Sequence, residues 1–252
     1  MNSHIFREYD IRGVVDTDLT DDVVTSIGKG FGTYVRRHGG KKVSLGGDVR
    51  HSTERFREKL ADGLKSVGID VVDVGVVPTP ALYFTLYELP VDGSVMVTGS
   101  HNPPDMNGFK LNLGTDSVFG EEIQKIRKII ESGDFEEGEG RWASAEILDA
   151  YRAAILERIH LERPLKVVAD CGNGCASLVA RGLLEALGCE VISLYCTPDG
   201  DFPNHHPDPT VMEYITDLIA AVKEHGADIG IGYDGDADRV GTVDEKGQVV
   251  YA

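Results

Sequence analysis

Basic residues are scarce in this chain: 25 lysines and arginines stand against 42 aspartates and glutamates, a formal net charge of −17 over 252 residues. Nucleic-acid surfaces need clustered Lys and Arg against phosphates, so the balance argues against nucleic acid as a partner. Long apolar runs are also missing. None approaches the roughly 18 residues that mark a membrane-spanning helix, and Met1-Asn2-Ser3-His4 does not open a secretory leader. Cysteine is sparse too. Cys171, Cys175, Cys189 and Cys196 include no Cys-x-x-Cys pair, which predicts reduced thiols and, with them, a cytoplasmic location. Aromatics make up 7% of the chain against 30 glycines, the balance of an α/β protein with many tight turns. A hydrophobic content of 41% over this length supports one large or two modest domains, each with its own core.

What is present is an alternation of strand-like runs and helical stripes. Thr20 is a good N-cap, Asp21 and Asp22 suit the first turn, and Val23, Ile27, Phe31 and Val35 form one face before Gly39-Gly40. A strand at 42–45 leads through Gly46-Gly47-Asp48-Val49-Arg50-His51-Ser52 into a helix with Phe56, Leu60 and Leu64 inward. Next come a strand at 71–74, a short helix opened by Pro78-Thr79-Pro80, a strand ending at Val97, a return strand near 109–113 and a helix with Ile123, Ile126 and Ile130. Residues 132–140 are acidic and glycine-rich and read as a linker or solvated loop. A second unit then repeats the pattern. It has a helix on Ile147, Tyr151, Ile155 and Ile159, strands at 165–169, 190–194 and 229–233, and a closing hairpin from 240 to 251. The spacing predicts two tandem three-layer α/β/α domains with mainly parallel mixed sheets, over 1–145 and 146–252, with ligand loops at the carboxyl ends of the strands.

Two loops carry chemistry. Thr98-Gly99-Ser100-His101-Asn102-Pro103-Pro104 directly follows a strand, and a serine between a glycine and two prolines is expected to be exposed and conformationally fixed, as a nucleophile is presented. Gly99 would let the backbone approach a bulky anion. A turn with a satisfied hydroxyl is the plainer alternative. In Asp234-Gly235-Asp236-Ala237-Asp238-Arg239, alternate aspartates after a strand can point to one side, and a divalent cation would relieve their repulsion. Hard oxygens suit Mg²⁺ or Ca²⁺, but the EF-hand calcium loop needs a glycine where Arg239 stands, so Mg²⁺ is preferred; a solvated acidic turn is the alternative. Gly172-Asn173-Gly174 lacks the third glycine of a dinucleotide fingerprint, and the adjacent His205 and His206 have no further zinc ligand at standard spacing. Phe6 to Gly13 reads by composition as a surface lead-in.

Residues 98–110, Thr-Gly-Ser-His-Asn-Pro-Pro-Asp-Met-Asn-Gly-Phe-Lys, resemble the phosphoserine loop of the α-D-phosphohexomutases, closest to the bacterial phosphomannomutase/phosphoglucomutase branch. Tyr9-Asp10-Ile11-Arg12-Gly13 and the aspartate loop resemble family segments as well, and the likeness covers the whole chain. It implies an enzyme that interconverts hexose 1-phosphates and 6-phosphates through a bisphosphate, with Ser100 carrying the phosphoryl group. Mg²⁺ would be held by Asp234, Asp236 and Asp238, with phosphorylated Ser100 adding an oxygen. Tyr9 and Arg12 would face the phosphoryl group, and Lys110 and Arg12 would stabilise the migrating charge. One of those two or His101 would handle the hydroxyl proton, and Arg239 would contact the phosphoserine or orient the metal loop.

Departures from the family pattern are few. Gly47 and Val49 replace the usual Arg and Gly while Asp48, Arg50 and Ser52 match, which gives that loop a supporting role. Ala237 replaces the middle glycine of the aspartate loop, a small change unless positive φ is needed there. Against the net negative charge, a phosphosugar would have to be bound by local cations and a metal rather than steered. Family members continue into a third domain reading sugar hydroxyls and a fourth gripping the second phosphate. The expectation is therefore an N-terminal two-domain portion that carries the phosphoserine and metal but is nearly inactive as a mutase alone. Two other readings remain: a noncatalytic phosphosugar- or Mg²⁺-binding module, and a serine hydrolase using Ser100 with a histidine base.

Overall fold

A computed structural model describes residues 2–250, and the chain forms two compact units, 1–147 and 148–252. In the first, β1 (Ile11–Val14) is followed by α1 (Asp21–Arg37), β2 (Lys42–Gly47), α2 (Thr53–Ser66), β3 (Asp70–Val76) and α3 (Thr79–Glu88). Then come β4 (Gly93–Val97), β5 (Met106–Leu113), β6 (Asp116–Ser117), α4 (Glu121–Ser132) and β7 (Trp142–Ser144). The strands lie in the order β1-β5-β4-β2-β3-β7, with β6 on β5. From β4 to β7 neighbours are parallel, whereas β5 runs antiparallel to β1, β4 and β6.

Side-chain alternation along β2 puts helices on both faces of this sheet. Val43 and Leu45 join the core built with Ile27, Phe31 and Val35 of α1, Phe56, Leu60 and Leu64 of α2, and Ile123 and Ile126 of α4. Ser44 points the other way and meets Thr85 of α3 at 2.6 Å, hydroxyl to hydroxyl. Thr20 caps α1 as its sequence predicts, accepting from the Val23 amide.

The second unit contains α5 (Leu148–Arg158), β8 (Lys166–Asp170), a 3-10 turn at Cys175–Leu178, α6 (Ala180–Ala186) and β9 (Glu190–Leu194). It continues through a 3-10 turn at Met212–Ile215, α7 (Thr216–His225), β10 (Ile229–Tyr233), β11 (Val240–Asp244) and β12 (Val249–Val250). Its sheet has the order β12-β11-β10-β8-β9, parallel across β10-β8-β9 and antiparallel beyond. Leu218 and Val222 of α7 pack with Val168 and Val243 in the core. No helix among the described residues is long and apolar enough to cross a membrane.

Three expectations are corrected. The lead-in contributes β1, paired antiparallel with β5 so that Arg12 lies opposite Gly108. Of the two readings of the acidic stretch, linker or solvated loop, the exposed loop holds and the linker does not, because the stretch is tied to the first unit. Arg36 Nη1 donates to the Glu137 carbonyl at 2.8 Å, Arg37 pairs with Asp134 and Glu136, Val67 bridges Gly138, and β7 follows at once beside β3. Cys171 and Cys196 are joined in a disulfide across 25 residues, while Cys175 and Cys189 are free and buried. Parallel pairing of β8 with β9 sets the residues just beyond their ends side by side, which no spacing in the sequence announces.

Candidate functional site

The serine loop begins where the fully buried β4 ends. Its hydrogen bonds are organised by two side chains about 50 residues earlier, between β2 and α2. The Asp48 carboxylate accepts from the Thr98 hydroxyl at 2.8 Å, the Gly99 amide at 3.0 Å, the Thr53 hydroxyl at 2.6 Å, and the amide and Nε of Arg50, both at 3.1 Å. Arg50 Nη2 donates to the carbonyls of Ser100, at 2.8 Å, and Asn102; its Nη1 donates to those of Pro103 and of Met106, at 2.9 Å. The arginine side chain is fully buried.

The backbone under the nucleophile is held against its own preference. Ser100 has φ +50, and a left-handed backbone costs a non-glycine residue about 1–2 kcal/mol. Hydrogen bonds from a charged donor contribute roughly 1.5–3 kcal/mol each, so four carbonyls on one guanidinium outweigh that strain. The Ser100 amide donates to the Thr98 hydroxyl at 2.7 Å, closing the turn from inside.

Two readings of this loop change. Ser100 is 0% exposed rather than presented to solvent, and the backbone of its loop is held by Arg50 and Asp48. Gly99 makes room for a cation rather than an anion: a Cβ there would lie 2.3 Å from Arg50 Cζ.

The other predicted residues divide into near and far. Arg12, brought by β1, donates through Nη1 to the Gly99 carbonyl at 2.7 Å and through Nη2 to Asp10 at 2.5 Å. Its Nε is buried with no hydrogen-bond partner among the described residues, leaving a cationic donor beside the serine loop. Lys110 pairs in register with Met96 on the neighbouring strand, and Lys110 and His101 are half-buried. Tyr9 is not gathered in: it is 76% exposed, with its ring 6.3 Å from that of Phe119.

The aspartate loop is the tip of the hairpin between β10 and β11, closed by Tyr233 opposite Val240. Asp234 Oδ1 accepts from the amides of Asp238 at 3.0 Å and Arg239 at 3.1 Å, and the Asp234 carbonyl accepts from the Ala237 amide at 3.0 Å. One oxygen from each of Asp234, Asp236 and Asp238 falls within 4.8 Å of the others, with the first two residues buried and the third exposed. Ala237 does take positive φ, at +59, so the alanine occupies the one conformation where it is not equivalent to glycine. Arg239 is exposed, its Nε 3.9 Å from Asp238.

This loop rests on the turn after β8. The Cys175 amide donates to the Gly235 carbonyl at 2.9 Å, and a Cβ on Gly174 would lie 2.6 Å from that oxygen. Gly174 therefore admits the aspartate loop, while Gly172 makes room for Pro207. His205 secures the turn from the other side, donating through Nε2 to Asp170 at 3.0 and 3.1 Å and through Nδ1 to the His206 carbonyl at 2.9 Å. Burial opposes charge on this imidazole, but the bond to Asp170, with the His206 carbonyl and the charges of Asp170 and Asp217, outweighs it and raises the pKa.

The donor set fits a divalent cation. Two carboxylate charges no more than 4.8 Å apart repel by at least about 3.5 kcal/mol at an effective dielectric of ~20, and a hard dication bound by all three oxygens would reverse that term.

Known proteins share this architecture. Residues 3–137 match the model of phosphoglucomutase/phosphomannomutase α/β/α domain I, and residues 149–247 match that of domain II. A phosphomannomutase/phosphoglucomutase of Pseudomonas putida is 49% identical over 247 residues, 98% of this chain and 53% of that protein. A phosphoglucomutase of Neisseria gonorrhoeae is 43% identical over 98% of the chain and 54% of its own length. A crystal structure of a phosphoglucomutase/phosphomannomutase family protein from Burkholderia thailandensis superposes with a TM-score of 0.97 at 46% identity, covering 100% of this chain and 57% of that one. The chain spans about half the length of the curated relatives it matches.

Proposed function

Because the chain belongs to the phosphoglucomutase/phosphomannomutase family, we propose that it moves a phosphoryl group between Ser100 and hexose phosphates as part of a phosphohexomutase. The observation that carries this reading is the convergence of three carboxylate oxygens within 4.8 Å of one another, a set suited to the cation that phosphoryl transfer needs. Asp234, Asp236 and Asp238 would hold Mg²⁺, which when bound neutralises charge on the phosphoryl group.

Phosphoryl transfer asks for positioning and charge balance more than for covalent ingenuity. Phosphorylated Ser100 gives its phosphoryl group to a hydroxyl of a hexose monophosphate: the P–Oγ bond breaks, a P–O bond forms on the sugar, and the hydroxyl proton leaves. The bisphosphate turns over and returns its other phosphoryl group to Ser100. Arg12, whose Nε has no acceptor among the described residues, stabilises the charge in flight together with Lys110. The proton passes through His101 or solvent to the Ser100 Oγ that the phosphoryl group leaves, since Arg12 and Lys110 as cations have no lone pair to accept it. Since Ser100 carries no exposed surface, transfer requires its loop to become accessible.

Intact-mass measurement tests the half-reaction. The chain incubated with Mg²⁺ and α-D-glucose 1,6-bisphosphate gains one phosphoryl mass, and Ser100→Ala gains none. Equal labelling of both proteins, or of neither, defeats the reading. Sustained mutase turnover by the 252-residue chain alone is expected to fall far below its labelling rate.

A further inference from the structure

Arginines near a phosphoryl-transfer site ordinarily bind phosphate, and Arg50 sits against the serine loop. Its five N–H donors are otherwise engaged. Nε is on Asp48, and the two terminal nitrogens reach the carbonyls of Ser100, Asn102, Pro103 and Met106. The side chain is fully buried, so neither its charge nor its donors face a substrate. We infer that Arg50, seated on Asp48, is a positioning residue that fixes the Ser100 backbone for phosphoryl transfer without touching the phosphoryl group. The inference rests on the phosphotransfer reading above and gives that site its supporting part.

Three features of the loop agree. The carbonyls that converge on Arg50 come from a stretch whose Pro103 and Pro104 lack amide hydrogens. Arg50 therefore adds to the two turns the loop closes itself, from the Asn102 amide to the Gly99 carbonyl at 2.9 Å and from the Met106 amide to the Pro103 carbonyl at 3.0 Å. The left-handed residue, Ser100, is among those whose carbonyl Arg50 holds. Gly99 is the position where any side chain would displace the guanidinium. Lysine at position 50 would keep the charge, but its single ammonium cannot span four carbonyls and a carboxylate.

The test pairs hydrogen exchange with labelling. Arg50→Lys is compared with the parent chain for amide protection in peptides covering 98–106, β2 and α2, and for the rate of Ser100 phosphorylation by α-D-glucose 1,6-bisphosphate with Mg²⁺. In labelling, the donor's P–O bond to the sugar breaks, a P–Oγ bond forms, and the serine proton passes to the sugar oxygen. Protection in 98–106 is expected to fall at least tenfold, with β2 and α2 within twofold. The maximal labelling rate should fall at least tenfold while the half-saturating donor concentration changes less than twofold, since Arg50 meets the loop and not the donor.

Gly99→Ala should reproduce the pattern with Arg50 intact, and it decides the matter if Arg50→Lys does not fold. Unchanged loop protection, uniform loss across all three peptides, or a loss confined to donor affinity overturns the inference. A loop loosened as expected in a parent chain that accepts no phosphoryl group defeats the phosphotransfer reading instead, leaving the clamp a structural one.

Discussion

The serine loop and the aspartate loop both force a non-glycine residue into the left-handed region, Ser100 at φ +50 and Ala237 at φ +59, but they are held differently. The first closes turns of its own and is also tied down from outside by Arg50, Asp48 and Arg12, which lie 50 or more residues away in sequence. The second is fixed largely by itself. Asp234 accepts the amides of Asp238 and Arg239 through its side chain and that of Ala237 through its carbonyl, and a glycine turn is packed beneath. A loop that folds on its own residues carries its ligand set as one piece. A loop assembled from distant residues depends on the packing of the whole unit.

The sharpest way to break that contrast is to separate the two duties of Asp234. Asp236→Asn should cost at least tenfold in Mg²⁺ affinity by titration calorimetry while leaving amide protection of 234–239 intact. Asp234→Ala should cost affinity and protection together, because it removes the Oδ1 that accepts two loop amides. If Asp236→Asn loosens the loop as much, the aspartate loop is not self-held.

Cutting the disulfide tests whether the units answer separately. Closing the 25-residue span from Cys171 to Cys196 is worth about 3 kcal/mol in the chain-entropy account. A Cys171→Ser, Cys196→Ser double variant should lower the unfolding free energy of the second unit by about that amount, with protection of 98–106 unchanged. A parallel loss in the serine loop would show that the two loops do not stand on independent supports.

The same distinction explains how far the sequence could be read. The stripe of Ile27, Phe31 and Val35, the inward face of Phe56, Leu60 and Leu64, and the strands bearing both loops follow from periodicity, which is local. The aspartate triad was legible for the same reason. β7 was not: all three of its residues are exposed, so no apolar alternation marks it. Nor was α7 assigned, although Leu218 and Val222 are its core residues. At the serine loop the nucleophile was visible, but neither its burial nor the Arg50 clamp could be seen, because the partners meet only after β2 and β4 pair in parallel. Gly99 was correctly singled out and given the wrong neighbour.

Relief of backbone strain gives a smaller effect that sharpens the comparison. Ala237→Gly removes a left-handed penalty of about 1 kcal/mol, less the extra freedom glycine gains when unfolded. The second unit should become more stable by up to that amount in chemical denaturation, with Mg²⁺ affinity equal or higher. Destabilisation would mean that the Ala237 methyl, which packs against the cluster of Cys171, Ala176 and Ala180, matters more than its φ.

The smallest effect separates the loops by what titrates. Arg50 stays charged at any ordinary pH, so the serine loop's support is insensitive to it. Beneath the aspartate loop stands His205, faced by Asp170, by Asp217, and by the Tyr195 hydroxyl, whose pKa is pushed up to about 12 by its hydrogen bond to Asp217 and by burial. Both ring nitrogens of His205 meet acceptors, so the protonated ring makes both bonds and its folded pKa is raised. The stabilisation is therefore complete below the unfolded value of about 6.5 and is lost as pH climbs through the higher folded value. Hydrogen exchange corrected for intrinsic pH dependence should show protection of 170–174 and 198–209 declining over that window, while 98–106 stays level. His205→Gln should flatten the decline. A decline that survives the substitution, or that appears equally in the serine loop, would assign the pH response to some other group.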